Sequence, residues 1–369
     1  MTQHNLPDII YEFLLRFSRG LYIPDFLLVT AAYLVPCLAI LGLVTAVSGL
    51  LTYGERKVSA DIQNRIGPNR VGPFGLFQVV ADGVKLILKE DIIPTAADGK
   101  LFKLAPYIFF SGTMLAVIVL PFGGPFIVAD LNIGLIFIIV VSSLIVVGTL
   151  MSGWASNNKW ALLGGIRSAA QIISYEIPAA LSLLTVILIT GTFSMQKIVM
   201  SQGLYPWDWF ILHNPFTFVA FFIFFVSSLA EINRLPFDFP EAESELVSGY
   251  NVEYSGMRFA LFFLAEFANV FISASIAVAV FLGGGNIGMD PYDSSIWYQL
   301  IMVLVFFAKT TALCLVTLWV RWSMPRLRID QMMSLCWKYF IPLSFGCLTM
   351  TAIWMLIFNG NGIFWRING

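Results

Sequence analysis

The chain has 369 residues, 58% of them hydrophobic and 12% charged, with a net charge of −1. Soluble domains carry about a quarter charged residues, so a soluble globule is excluded, and no basic excess points to nucleic acid. The cysteines Cys37, Cys314, Cys336 and Cys347 form no CxxC pair, the histidines are His4 and His213, and no GxGxxG or Walker loop occurs; iron–sulfur, zinc, haem and nucleotide sites are therefore not expected.

Apolar runs of about 20 residues, the length that crosses a bilayer as a helix, recur from residue 27 onward. The alternating pattern of a membrane barrel is absent. The expected fold is an all-α integral membrane protein of about eight transmembrane helices, with amphipathic interfacial helices beside them. Residues 1–26 come first. Asp8, Glu12, Arg16 and Arg19 stand there among Ile9, Ile10, Phe13, Leu14 and Phe17. That spacing reads as an interfacial amphipathic helix with no cleavable signal; a frayed tail is the plainer alternative. Residues 27–369 read as a single polytopic domain without linker or repeat. Spans fall near 27–53, 104–122, 133–153, 166–191, 215–232, 257–282, 296–320 and 338–358. A charged segment, 54–65, follows the first span. Residues 75–90 are short and amphipathic, with Gln78, Asp82, Lys85 and Lys89 on one face.

Lysine and arginine orient these spans. The side holding loop 54–103 carries Arg56, Lys57, Arg65, Arg70, Lys85, Lys89, Lys100, Lys103, Lys159, Arg167, Arg234, Arg258, Arg321, Arg326, Arg328 and Lys338. The other side has Arg16, Arg19, Lys197 and Arg366. This asymmetry makes the side of loop 54–103 cytoplasmic, or its topological equivalent, with both termini outside.

Ionisable side chains inside a bilayer are costly and need a reason. Glu176 lies in the fourth span, with Ala179 and Ala180 one turn on and Pro178 unable to donate to the Ser174 carbonyl. Glu231 ends the fifth span, one turn after Ser227 and Ser228. Glu266 lies in the sixth, its face continued by Asn269 and Ser273. Lys309 sits near the middle of the seventh and is expected to face a carboxylate or water, or to be neutral. Each has a plain structural alternative: a helix-packing acid, a solvated helix end, a lone hydrogen bond, a buried ion pair. Acids in consecutive spans together suggest a buried, hydrated path for protons.

The loop after the fifth span points the same way. Asp238, Glu241, Glu243, Glu245 and Glu253 crowd it on the basic side of the membrane. Asp238 and Glu241 fit a capping-box-like helix start, with Pro240 in its first turn. Carboxylates this crowded can exchange protons near neutral pH. Phe237, Phe239, Leu246 and Val247 interleave them and argue for burial. The arginines opposite could equally pair with this loop.

Several segments carry a family resemblance: Glu55-Arg-Lys, residues 63–73, Ala81-Asp-Gly-Val-Lys85, Lys89-Glu-Asp91, residues 165–171, Ser174-Tyr-Glu176, Pro236–Gly256 and Asp330-Gln-Met-Met333. Together they resemble the quinone-site membrane subunit, the H subunit, of the proton-pumping NADH–quinone oxidoreductase, respiratory complex I. The stretch from Pro236 to Gly256 is specific enough to carry the likeness alone. The resemblance implies a chamber through which quinone, the substrate, enters from the bilayer. It implies partners in the membrane arm and in the peripheral arm's quinone-site and iron–sulfur subunits, with lipids around them. NADH, FMN and the iron–sulfur clusters would belong to those partners, with no cofactor in this chain. By motif, Arg56, Arg65, Asp82, Lys85, Phe237, Arg321 and Arg326 fall at the quinone chamber. Glu176, Glu231, Glu241, Glu243, Glu245, Glu253, Glu266 and Lys309 fall on the proton pathway. Ile232, Leu235 and Phe267 depart from the usual Thr, Ala and Tyr. A homologous subunit of a group 4 hydrogenase or formate-hydrogenlyase complex would keep the fold and the acids. A stand-alone ion-coupled transporter would fit the buried charges, but inverted repeats are not evident.

Overall fold

The computed structural model describes residues 6–17, 25–240, 243–288 and 296–358. A long helix stands at each predicted span. These are α2 (Asp25–Ile62), α4 (Gly99–Val117), α5 (Gly134–Ala155), α6 (Lys159–Thr190), α8 (Pro215–Glu231), α10 (Gly256–Phe281), α11 (Ile296–Ser323) and a last helix over Ile329–Ile357. Six are long and apolar enough to cross a membrane, and Pro215–Glu231 is a shorter apolar helix. The remaining helix, α4, is 19 residues long. Between them lie α1 (Leu6–Phe17), at the expected amphipathic segment, α3 (Gln78–Leu88), α7 (Met195–Met200) and α9 (Glu243–Leu246). Arg19 and Arg366 lie outside the described residues.

Against the expected 104–122 and 166–191, α4 lies five residues earlier and α6 starts seven residues earlier, and two further differences change the reading of a segment. Residues 54–62 are not a separate segment. They continue α2, whose 38 residues reach about 57 Å at 1.5 Å per residue, well beyond the roughly 30 Å apolar core of a bilayer. The helix stops where Asn64 takes a positive φ of 51°. The last helix starts nine residues early, as α12 (Ile329–Ser334), and runs through a π-helical turn, Leu335–Phe340, into α13 (Ile341–Ile357). Pro342, at the start of α13, has no N–H for the preceding turn.

Small residues let the helices approach closely. A Cβ at Gly148 on α5 would lie 2.9 Å from the Cα of Phe109 on α4, and one at Gly153 would lie 2.7 Å from the Ala161 carbonyl of α6. Helix ends are capped from the sequence. Asn158 accepts from the Trp160 N–H to start α6, Asn214 and Thr217 form a capping box at α8, and Gly191 closes α6 with a left-handed φ of 67°. The most enclosed of the apolar spans is α10, 72% buried. Phe271, Ala277 and Phe281 on it join the main apolar core with Val186, Ile223 and Phe306.

Proline inside a helix frees the carbonyl four residues back, and in two helices a side chain takes it up. Pro106 frees the carbonyl of Phe102, which accepts a hydrogen bond from the Tyr254 hydroxyl at 3.2 Å. Pro178 frees that of Ser174, which accepts from the Cys336 thiol at 3.0 Å. Both bonds bring a distant part of the chain to the helix: Tyr254 from the acidic loop, Cys336 from the π-helical turn.

Candidate functional site: buried carboxylates beneath an arginine face

Glu176 on α6 accepts a hydrogen bond from Ser142 Oγ of α5 at 3.1 Å. Glu231, the last residue of α8, lines the same cavity as Glu176. Ala179 and Ala180, one turn beyond Glu176, leave that space open. Ser142, Ser228, Asn269 and Ser273 supply the other polar walls, while isoleucines and Phe224 supply apolar ones. The cavity measures about 80 Å³. A single water needs about 10–15 Å³ and polar partners, so several waters fit here. Glu266 is buried one turn from Asn269 on the same face of α10. Its Oε1 accepts from the Tyr250 hydroxyl at 3.0 Å. The expected stripe of Glu266, Asn269 and Ser273 thus runs from the loop into the cavity.

Tyr250 reaches Glu266 from the acidic loop itself. It is fully buried against Phe109 and Phe262. The loop comes this close because Gly164 on α6 has no side chain: a Cβ there would lie 2.7 Å from the Cα of Gly249. Gln171 of α6 fixes the other end of the loop, donating to the carbonyls of Ala230 and Phe237, both at 2.7 Å.

The acids of this loop are bound to other elements. Asp238 pairs with Arg326 at 3.2 Å, Glu245 with Arg167 at 2.7 Å, and Glu253 accepts from Asn158 Nδ2 at 2.7 Å. Arg258, just past the loop, pairs with Asp91 at 2.9 Å. Glu241 and the side chain of Glu243 lie outside the described residues. Phe239 and Pro240, which would form the first turn after Asp238, are not helical, and the described part of α9 is Glu243–Leu246. Phe237, Phe239 and Leu246 are buried as expected, but Val247 is 62% exposed, on a residue with φ of 67°. Burial pushes the Tyr254 phenol above its usual range, against the opposing pull of Arg258, so it remains a neutral donor.

On the arginine face, Arg56 of α2 pairs with Asp82 of α3 at 2.6 Å, and Gln78 donates to the other carboxylate oxygen at 3.1 Å. Arg65 donates to Gln63 at 2.6 Å. Lys85 is exposed. Phe237 is buried with Tyr175, Phe239, Met332 and Cys336, where its carbonyl is held by Gln171. Beside Arg56, Glu55 is only 8% exposed and is bound by two arginines, Arg234 at 3.1 Å and Arg321.

Lys309 forms no ion pair among the described residues. Its Nζ donates to the carbonyls of Leu282 at 2.7 Å and Gly284 at 3.0 Å, just past the end of α10, and lies 4.1 Å from the Trp209 ring centroid. Sequence reasoning missed Glu55 and Tyr250. For Glu55 a signal existed: Ser48, Thr52, Glu55 and Ser59 form one buried polar stripe along α2 at helical spacing. Among the described residues no cluster of three metal-ligating side chains occurs.

The family model described as NADH dehydrogenase matches residues 35–352. The H subunit of NADH-quinone oxidoreductase from Anaeromyxobacter dehalogenans is 53% identical over 325 residues, covering 84% of this chain and 79% of the relative. Its counterpart in Chlorobaculum tepidum is 49% identical over 319 residues, 82% of this chain and 87% of the relative. That of Rhodospirillum rubrum is 47% identical over 323 residues, 88% and 94%. On matches of this identity and extent, the chain belongs to the NADH dehydrogenase family, that of the H subunits of NADH–quinone oxidoreductase, and is a membrane subunit of that enzyme complex.

Proposed function

We propose that this subunit forms a wall of the quinone chamber where the membrane arm meets the peripheral arm, and that its buried acids begin the proton path driven by quinone reduction. The observation that carries this reading is the shared cavity of Glu176 and Glu231, continued through Asn269 to Glu266 and from there to the loop by Tyr250. Reducing a quinone to a quinol takes up protons as well as electrons. A polar route that starts beside the reaction and leads into the bundle can respond to that demand.

The chamber is read from α3 and its approach. Ile66, Phe74, Val80 and Leu88 are exposed there, an apolar surface suited to an isoprenoid tail, beside the Arg56–Asp82 pair. Arg65, Arg321 and Arg326 stand on the same face, which is where an electron-carrying partner would dock. NADH, FMN and the iron–sulfur clusters belong, on this reading, to peripheral-arm subunits. The lysine and arginine distribution supports an inner-membrane protein with the acidic loop on the cytoplasmic side and both termini outside. Glu245 and Glu253, held by Arg167 and Asn158, would couple the loop to α6. Lys309, bonded to carbonyls at the end of α10, is read as a helix cap outside the pathway.

Glu231→Gln and Glu266→Gln test this in the assembled enzyme. Each is expected to cut quinone-linked turnover and proton pumping while NADH–ferricyanide activity stays intact. Normal quinone-linked pumping in both variants would reject the pathway.

A further inference from the structure

Arg234 lies three residues beyond Glu231 and is 6% exposed. Two contacts hold it. Its Nη1 meets the Glu55 carboxylate on α2 at 3.1 Å, and its guanidinium carbon lies 4.2 Å from the centroid of the Phe267 ring on α10. Its Nε and Nη2 find no hydrogen-bond acceptor among the described residues. A planar guanidinium stacks on an aromatic face where an ammonium would not fit as well. Glu55 is shared with Arg321 of α11, so its carboxylate cannot neutralise Arg234 alone. The ring supplies part of what the carboxylate does not.

The neighbours of these contacts matter. Arg56, next to Glu55, belongs to the quinone face. Glu266, next to Phe267, belongs to the acid stripe. Arg234 itself sits in the turn that begins at Glu231.

We infer that Arg234 is a positioning residue for the quinone-linked reaction: held between Glu55 and the Phe267 ring, it fixes α2 of the quinone face against α10 of the acid stripe. The part played by residue 267 is its aromatic face, with no hydroxyl required. Loss of either contact lets the guanidinium move and the two helices lose their common reference. This inference rests on the proposed function above.

The test uses membranes holding the whole complex, with quinone-linked NADH oxidation normalised to NADH–ferricyanide activity, which counts assembled enzyme. Phe267→Leu keeps apolar bulk and removes the face. It should lower normalised turnover about tenfold, in kcat with the quinone KM little changed. Phe267→Tyr should stay within about twofold of the parent. Glu55→Gln should fall as well, and Glu55→Gln with Phe267→Leu should be no slower than the slower single variant, because both act through Arg234. Parent-like turnover in Phe267→Leu, multiplied losses in the double variant, or a loss confined to assembly would each overturn the inference. Glu231→Gln and Glu266→Gln are measured alongside. If both are normal too, the proton-path reading fails; if they alone are impaired, that reading stands and only the role of Arg234 is lost.

Discussion

Tyr250 and Glu266 are hydrogen-bonded at 3.0 Å, although one belongs to the acidic loop and the other to the most enclosed spanning helix. This bond joins the mouth of the site to the bundle interior. Removing the hydroxyl while keeping the ring isolates its effect. Tyr250→Phe should cost about 1–2 kcal/mol and lower quinone-linked turnover, read as a shorter thermal half-life and a slower rate per assembled enzyme. A variant equal to the parent in both would show that the bond carries nothing.

Tyr254 and Cys336 each occupy a carbonyl freed by proline. Tyr254→Phe and Cys336→Ala each leave a buried carbonyl without its donor, at about 1–3 kcal/mol. Thermal inactivation of the assembled complex should come earlier in both. Cys336→Ser, which restores a donor, should recover most of its loss; failure to do so would point to packing instead.

Gln171 holds the turn after Glu231 through two carbonyls. Gln171→Leu should release it, making residues 232–248 more sensitive to protease added to inside-out vesicles. Unchanged cleavage would mean that Asp238–Arg326 and Glu245–Arg167 suffice to hold the loop.

Lys309 caps α10. Lys309→Met loses two charge-assisted hydrogen bonds and the favourable interaction with the helix end, about 2–4 kcal/mol in all. Stability should fall while protons pumped per quinone reduced stay constant. A normal half-life with a reduced pumping ratio would return Lys309 to the pathway.

Much of this was legible in the sequence, for identifiable reasons. Glu176, Glu231 and Glu266 stood out because charge in an apolar run is costly, and Asn269 and Ser273, at i+3 and i+7, marked the face of Glu266. Helix ends were less legible: Asn158 caps α6 at Lys159, seven residues before the expected start. The rest was not legible, for separate reasons. Glu55 looked like the start of a polar segment because α2 outruns the bilayer, so hydropathy ended before the helix did. Tyr250 is an aromatic in a loop, and only the close approach of Gly164 and Gly249 brings it to an acid. Phe237 packs on Tyr175 because Gln171 draws its carbonyl to α6, a contact between distant segments. Lys309 met backbone carbonyls, which leave no trace in side-chain patterns.

If protons cross the space between Glu176 and Glu231, closing that space must slow them. Ala180→Leu would fill it without altering a charge, since Ala180 lines the cavity. The deciding quantity is proton pumping per NADH oxidised, measured in sealed inverted vesicles. The ratio should fall in Ala180→Leu while NADH–ferricyanide activity persists. A parent-like ratio in fully assembled enzyme, with the cavity filled, would contradict a proton route between the two acids.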